Sequence, residues 1–137
     1  MIDKALILRK FSELDEYSRQ IGEFASTTSE EYSGNWKIQR IVERTLQMMI
    51  ESCADIANHI ISSNEYRVPK NYVDIFKVLY ENDIIDSKTF DNMANMVKFR
   101  NIVVHDDDKI DASIVINILR KQLNDFMTFR NAILHVL

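Results

Sequence analysis

The sequence has 137 residues, a length that suits one domain with its own hydrophobic core. Only two glycines and one proline are present, and because tight turns depend on these residues, a β-sheet fold with many reversals is disfavoured and long helices are favoured. A single cysteine excludes an internal disulfide, and the net charge of −4 argues against a protein that grips long nucleic acid by charge alone.

The first two predicted helices are separated by a polar connection. Apolar residues at the three- and four-residue spacing of a helix face define the first helix: Ile7, Phe11, Leu14, Ile21 and Phe24. The polar stretch 26–35, which contains Gly34, is interpreted as a connection. A second helix is predicted from about Trp36 to Ile61, with an apolar stripe typical of long helices packed side by side, and Trp36 and Cys53 are assigned to the core.

A proline and an N-cap signal indicate where the next two helices lie. Pro69 predicts a break, because the residue before a proline is driven out of the helical conformation. A short helix is predicted over about residues 72–80. Asp86 or Ser87 then offers an N-cap for a helix that reaches the segment 98–105, KFRNIVVH.

The last predicted helix follows an acidic turn at residues 106–108. Asp108 and Asp111 are interpreted as a capping pair for it. Its core-facing residues are predicted to be Ile114, Ile118, Leu119, Phe126, Phe129 and Ile133. Four long helices and one short one predict an all-α, up-and-down four-helix bundle in a single domain, residues 1–137. No apolar run reaches the roughly 20 residues that cross a bilayer, so no membrane partner is expected. The single cysteine fits a reducing compartment, so we expect a cytoplasmic protein.

The segment 96–105 contains the side chains that are the best candidates for catalysis or binding. Between Arg100 and His105 lies the apolar run 102–104, which is expected to anchor the segment in the core. Residues five positions apart on a helix differ by about 140° around its axis. Arg100 and His105 can therefore converge on one phosphate only if His105 lies where the helix ends, as the acidic turn after it favours.

Structural interpretations compete with each of these assignments. Arg100 could pair with an acid across the bundle, and His105 could interact with the carbonyl groups at the helix C-terminus. The acidic run 106–108 lacks the spaced ligands and glycine of a calcium loop and is interpreted as a solvated turn. His59 and His135 lie far from each other and from other ligands at metal-binding spacing, so no metal site is predicted.

The segment 100–105, RNIVVH, resembles the motif of HEPN domains, an arginine followed after a few residues by a histidine. The resemblance extends to the HepT-like branch of this family over nearly the whole chain. Four segments carry it in the same order: residues 40–47 (RIVERTLQ), 55–60 (DIANHI), 69–76 (PKNYVDIF) and 96–101 (MVKFRN).

This resemblance implies a HEPN-like bundle that pairs about a two-fold axis into a homodimer, with both copies of the motif beside one cleft. Active members are ribonucleases that need neither a metal nor another cofactor. Many are toxins whose antitoxin is an MNT-type nucleotidyltransferase. The function implied is therefore a metal-independent endoribonuclease toxin that attacks RNA through its 2′-hydroxyl.

The residue types of the motif suit this chemistry. Histidine titrates near neutral pH, so His105 is the candidate general base. A planar guanidinium offers two parallel hydrogen bonds, so Arg100 is the candidate for stabilising charge on the phosphate. One histidine cannot act as base and acid in one step, but a two-fold axis supplies a second one. Asn101 is expected to bind the phosphate or to orient His105.

One position departs from the family pattern. HepT toxins usually carry, two residues after the histidine, a tyrosine to which the MNT partner attaches AMP, whereas this chain has Asp107 there. Silencing by AMP at this position is therefore not expected. The alternative function is a catalytically silent HEPN module that docks an MNT-type nucleotidyltransferase, and the repulsion of phosphate by the acidic turn favours it.

Overall fold

A computed structural model describes residues 1–137, which form helices and short connections without any strand. In chain order the helices are α1 Lys4–Gly22, α2 Ser29–Ser33, α3 Trp36–Ser63, α4 Tyr72–Glu81, α5 Ser87–His105, α6 Ala112–Asn117 and α7 Asn124–His135. A turn of 3-10 helix, Asp107–Lys109, lies between α5 and α6, and a π-helical turn, Ile118–Gln122, joins α6 to α7. The all-α prediction is confirmed, and no helix is both long and apolar enough to cross a bilayer.

Side-chain caps explain where several helices begin. Asp86 accepts a hydrogen bond from the Thr89 backbone N–H at 2.8 Å, which confirms the N-cap predicted for α5. Such a cap contributes about 1 kcal/mol by satisfying an N–H that has no partner within the helix. Of the pair predicted for the last helix only Asp111 caps α6, because Asp108 lies within the 3-10 turn.

Helix α3 is the central element of the bundle and packs against α1, α4, α5 and α7. The core around it includes Phe76 and Phe129, whose rings meet edge to face with centroids 5.6 Å apart. Cys53 is fully buried in this core, as the sequence predicted, and burial raises the pKa of its thiol. The core therefore explains why α3 is apolar along so much of its length.

The stretch 26–35 is more than the predicted connection, because it contains the five-residue helix α2. A reciprocal pair of hydrogen bonds fixes its start. The Thr28 hydroxyl accepts from the Glu31 N–H at 3.1 Å, and the Glu31 carboxylate accepts from the Thr28 N–H at 3.4 Å. Tyr32 is buried and holds α2 against α3 through a hydrogen bond to Glu43.

Three predictions of burial were wrong. Trp36 is 66% exposed because it is the first residue of α3, beyond the last layer of the core. The run 102–104 does not anchor α5, since Val104 is 41% exposed and Ile102 and Val103 are only partly buried. Ile114 is 45% exposed, and Val115 takes the core position beside it. The face of α5 that is buried lies earlier in the helix, at Thr89, Met93, Met96, Val97 and Phe99.

Candidate functional site

Arg100 lies where α5 meets α3 and the start of α4. Its Nε and Nη2 atoms donate hydrogen bonds to Oε2 of Glu51 on α3, at 3.1 and 2.9 Å. The guanidinium carbon lies 4.2 Å from the centre of the Tyr72 ring, a cation–π contact with the first residue of α4. The Arg100 side chain is 17% exposed, so most of it is buried.

Asn101, the next residue of the motif, contacts the same guanidinium. Its Oδ1 accepts a hydrogen bond from Nη1 of Arg100 at 3.2 Å. The side chain is partly buried. The structure thus brings Asn101 together with Arg100, and its side-chain hydrogen bond is to the arginine rather than to His105.

His105 is the last residue of α5, as the sequence predicted, and its side chain is exposed. At the end of the helix, the Asp106 N–H donates a hydrogen bond to the Ile102 carbonyl at 2.8 Å. Five helical steps place His105 about 140° around the axis from Arg100 and about 7.5 Å along it. The three hydrogen bonds that Arg100 donates go to Glu51 and Asn101, and none goes to His105.

The acidic turn after His105 is exposed throughout. Asp107 and Asp108 line a cavity of about 330 Å³ that also contains Tyr32 and Arg40. Asp107 therefore places a carboxylate at the position where the HepT pattern has a tyrosine. No group of three or more His, Cys, Asp or Glu side chains in the chain could hold a metal ion.

Glu51 and Tyr72 are the residues of this site that sequence reasoning did not single out. Glu51 is 49 positions from Arg100, so no local spacing could reveal the pair. Tyr72 belongs to one of the segments that carried the family resemblance, which was the available signal. Burial raises the pKa of Tyr72 to about 12, and the positive charge of Arg100 opposes that rise, so the phenol is neutral near pH 7.

Comparison with known sequences places these residues in a family. The family model described as "Ribonuclease HepT-like" matches residues 14–133. The mRNA nuclease HepT of Shewanella oneidensis is 30% identical over 128 residues, which cover 93% of this chain and 96% of that protein. The tRNA nuclease HepT of Aphanizomenon flos-aquae is 24% identical over 110 residues, which cover 80% of this chain and 75% of that protein.

Solved structures similar to this chain include toxins of the same family. A toxin–antitoxin complex with AMP-PNP contains a chain of 30% identity that superposes with a TM-score of 0.89, covering 96% of this chain and 98% of that one. The tri-AMPylated Shewanella oneidensis HEPN toxin in complex with its MNT antitoxin is 29% identical, with a TM-score of 0.87 over 95% of this chain and 97% of that one. YutE of Bacillus subtilis, 18% identical with a TM-score of 0.83 over 99% of this chain and 91% of that one, shares the fold. The prediction of an endoribonuclease is thus confirmed at the level of the family, and the chain belongs to the HepT-like ribonucleases.

Proposed function

We propose that this chain is the toxin of a HEPN/MNT toxin–antitoxin pair and that it cleaves RNA without a metal ion. Its membership of the HepT-like ribonucleases supports the reaction class. The observation that carries the proposal is the arrangement of α5, which holds the mostly buried side chain of Arg100 and ends on the exposed side chain of His105. A guanidinium is a planar cation that binds phosphate, and histidine is the side chain most often used for acid–base catalysis.

In the proposed reaction the 2′-oxygen of a ribose attacks the adjacent phosphorus. His105 takes the proton of the 2′-hydroxyl as that bond forms, and Arg100 stabilises the negative charge on the phosphorane oxygens. The bond from phosphorus to the 5′-oxygen then breaks. His105 of the partner subunit protonates the leaving 5′-oxygen, so the products are a 2′,3′-cyclic phosphate and a 5′-hydroxyl.

A homodimer follows from this mechanism and is part of the proposal. One chain holds its arginine and histidine on different sides of α5, so a second copy is needed to complete the cleft. The apolar run 102–104 next to His105 is partly exposed, and Ile102 lines a groove of about 510 Å³ together with the exposed Ile114. A second chain would remove this apolar surface from water, which favours association.

The proposed regulator is an MNT-type nucleotidyltransferase, the kind of protein bound to the related Shewanella oneidensis toxin. Asp107 carries no phenol to accept AMP at the family position. We therefore propose that the antitoxin inhibits this chain by binding it, or modifies it elsewhere. The cytoplasmic location predicted from the sequence remains a prediction.

Two features of the site favour a second candidate function. Arg100 is already paired with Glu51, and three exposed aspartates follow His105, so both features weaken the attraction for a phosphate. These features favour a catalytically silent module that only docks the nucleotidyltransferase. The two candidates differ in whether the isolated chain cleaves RNA.

The test is cleavage of end-labelled RNA by the purified chain in the presence of EDTA. We expect wild-type cleavage that leaves cyclic phosphate ends, and a loss of about 100-fold or more in Arg100→Ala and in His105→Ala. His135→Ala and Arg44→Ala are matched controls, because His135 is an exposed histidine at another helix end and Arg44 an exposed arginine. A wild-type chain that leaves a panel of RNAs intact, yet binds its nucleotidyltransferase, would establish the docking module instead.

A further inference from the structure

Three contacts immobilise the Arg100 guanidinium, and two of them come from helices outside the motif. Glu51 on α3 accepts from Nε and Nη2 through the same carboxylate oxygen. The Tyr72 ring covers one face of the guanidinium plane, at 4.2 Å from its central carbon. Asn101 accepts from Nη1. An arginine on a free helix surface has many rotamers, whereas this one is held from several directions.

The hydrogen bonds leave a defined part of the guanidinium free. An arginine carries five N–H bonds: one on Nε and two on each terminal nitrogen. Glu51 and Asn101 accept three of them. One N–H therefore remains on Nη1 and one on Nη2. A phosphate binds arginine best through two roughly parallel hydrogen bonds, so one free donor on each terminal nitrogen is the number that such a contact requires.

We propose that Glu51 and Tyr72 are positioning residues that fix Arg100 so that its remaining Nη1 and Nη2 donors face the scissile phosphate. This inference rests on the proposed ribonuclease function and deepens it. Glu51 fixes the guanidinium in its plane by occupying the Nε side. Tyr72 fixes the tilt of that plane by stacking on one face. The arginine is thus oriented before RNA arrives, so less freedom is lost when the phosphate binds.

The chain contains a second arginine with the same kinds of partner, which provides a control. Arg130 on α7 pairs with Asp15 on α1, with Nε to Oδ1 at 3.2 Å, and its guanidinium carbon lies 4.9 Å from the Phe11 ring. This pair joins α7 to α1 and involves none of the residues that contact Arg100. Any loss of activity caused merely by breaking an ion pair between helices should therefore also occur in Asp15→Asn.

The first experiment measures RNA cleavage at saturating and limiting substrate. We expect Glu51→Ala to lower kcat by about 10- to 100-fold, because a displaced guanidinium stabilises the phosphorane poorly. Glu51→Gln keeps a side-chain oxygen that can accept a hydrogen bond, so it should recover part of the lost activity. Tyr72→Phe keeps the ring and should stay within about two-fold of wild type, whereas Tyr72→Leu should lose about 10-fold. Asp15→Asn should match wild type.

A second experiment observes Arg100 without reference to catalysis. The side-chain Nε–H of Arg100 should give a resolved NMR signal that exchanges slowly with water, because Glu51 accepts it. Glu51→Ala should make this signal exchange rapidly, while Asp15→Asn should leave it unchanged. If wild type cleaves RNA and Glu51→Ala cleaves equally well with an unchanged signal, the positioning role is wrong and the ribonuclease stands. If wild type does not cleave RNA, the proposed function fails, and the positioning role for phosphate fails with it.

Discussion

The buried hydrogen bond between Tyr32 and Glu43 gives the sharpest stability prediction. Tyr32 is 3% exposed and donates its phenolic O–H to Glu43, which is 7% exposed. The only other partner of this carboxylate is Arg40, at 3.6 Å and itself 63% exposed. Tyr32→Phe therefore removes the donor and leaves a buried carboxylate facing an exposed and distant arginine.

The cost can be worked out from these contacts. A hydrogen bond to a charged group contributes about 1.5–3 kcal/mol, and leaving a buried acceptor unpaired costs a similar amount. The cavity beside Tyr32 admits some water, which keeps the expected loss near the middle of this range, at about 2 kcal/mol. For a chain of this size that loss corresponds to a decrease in Tm of about 6 °C.

The assay is urea unfolding followed by circular dichroism, with the free energy of unfolding compared between variants. Tyr80→Phe is the matched control, because Tyr80 is 41% exposed and keeps its stacking on Phe90 when the hydroxyl is removed. Glu43→Gln combined with Tyr32→Phe completes a double-mutant cycle that isolates the pair. A Tyr32→Phe variant within about 0.5 kcal/mol of wild type would refute the reasoning.

The same pair predicts a pH dependence. Burial, followed by the hydrogen bond to Glu43, raises the pKa of Tyr32 above its ordinary value of 10. Above pH 10 the unfolded chain loses the phenol proton while the folded chain keeps it. The contribution of Tyr32 to stability is therefore complete below pH 10 and falls as the pH rises further. The difference between wild type and Tyr32→Phe should shrink in the same direction.

Three further predictions concern the core, a cap and an acidic side chain. Phe129→Ala should lower the free energy of unfolding by about 3–5 kcal/mol, because the ring is fully buried. Asp86→Ala should cost about 1 kcal/mol in a urea titration through loss of the α5 cap, and the exposed Asp91→Ala should cost almost nothing. Hydrogen bonds from Arg67 hold the pKa of Asp74 well below its ordinary 3.8. Asp74→Asn should therefore lower the free energy of unfolding at neutral pH. The difference from wild type should begin to shrink near pH 3.8 and should disappear at lower pH, as the carboxylate of the folded chain becomes protonated.

The long helices were predictable because each carries a continuous apolar face and a local start or stop signal. The helix predicted from Trp36 to about Ile61 runs to Ser63, and the one predicted over about residues 72–80 runs from Tyr72 to Glu81. Helix α2 was missed because five residues are too few to show a helical period. Its capping pair, Thr28 and Glu31, was the signal that could have revealed it.

Burial near the helix ends was harder to predict, since apolar residues there can face solvent or another chain. Ile102 and Val104 have the composition of a core segment, yet they lie beyond the last core layer of α5. Sequence periodicity shows which face of a helix is apolar, but it does not show how far along the helix the neighbouring elements extend.

Some residues of the candidate site could be predicted from the sequence and others could not. Arg100, Asn101 and His105 lie in one short segment, so a motif could identify them. Glu51 and Tyr72 reach Arg100 from two other helices, and only the packing of α3 and α4 against α5 brings them there. A contact made by packing leaves no mark in the local spacing of a single sequence.

The most direct test of the account is a mixing experiment on the shared site. Wild-type and His105→Ala chains are unfolded together, refolded at defined ratios and assayed on RNA with EDTA present. If the base and the acid are the two His105 residues of one dimer, activity should follow the square of the wild-type fraction, about a quarter at equal mixing. Activity of about half at equal mixing would mean that each chain works alone, and it would contradict a cleft built from two chains.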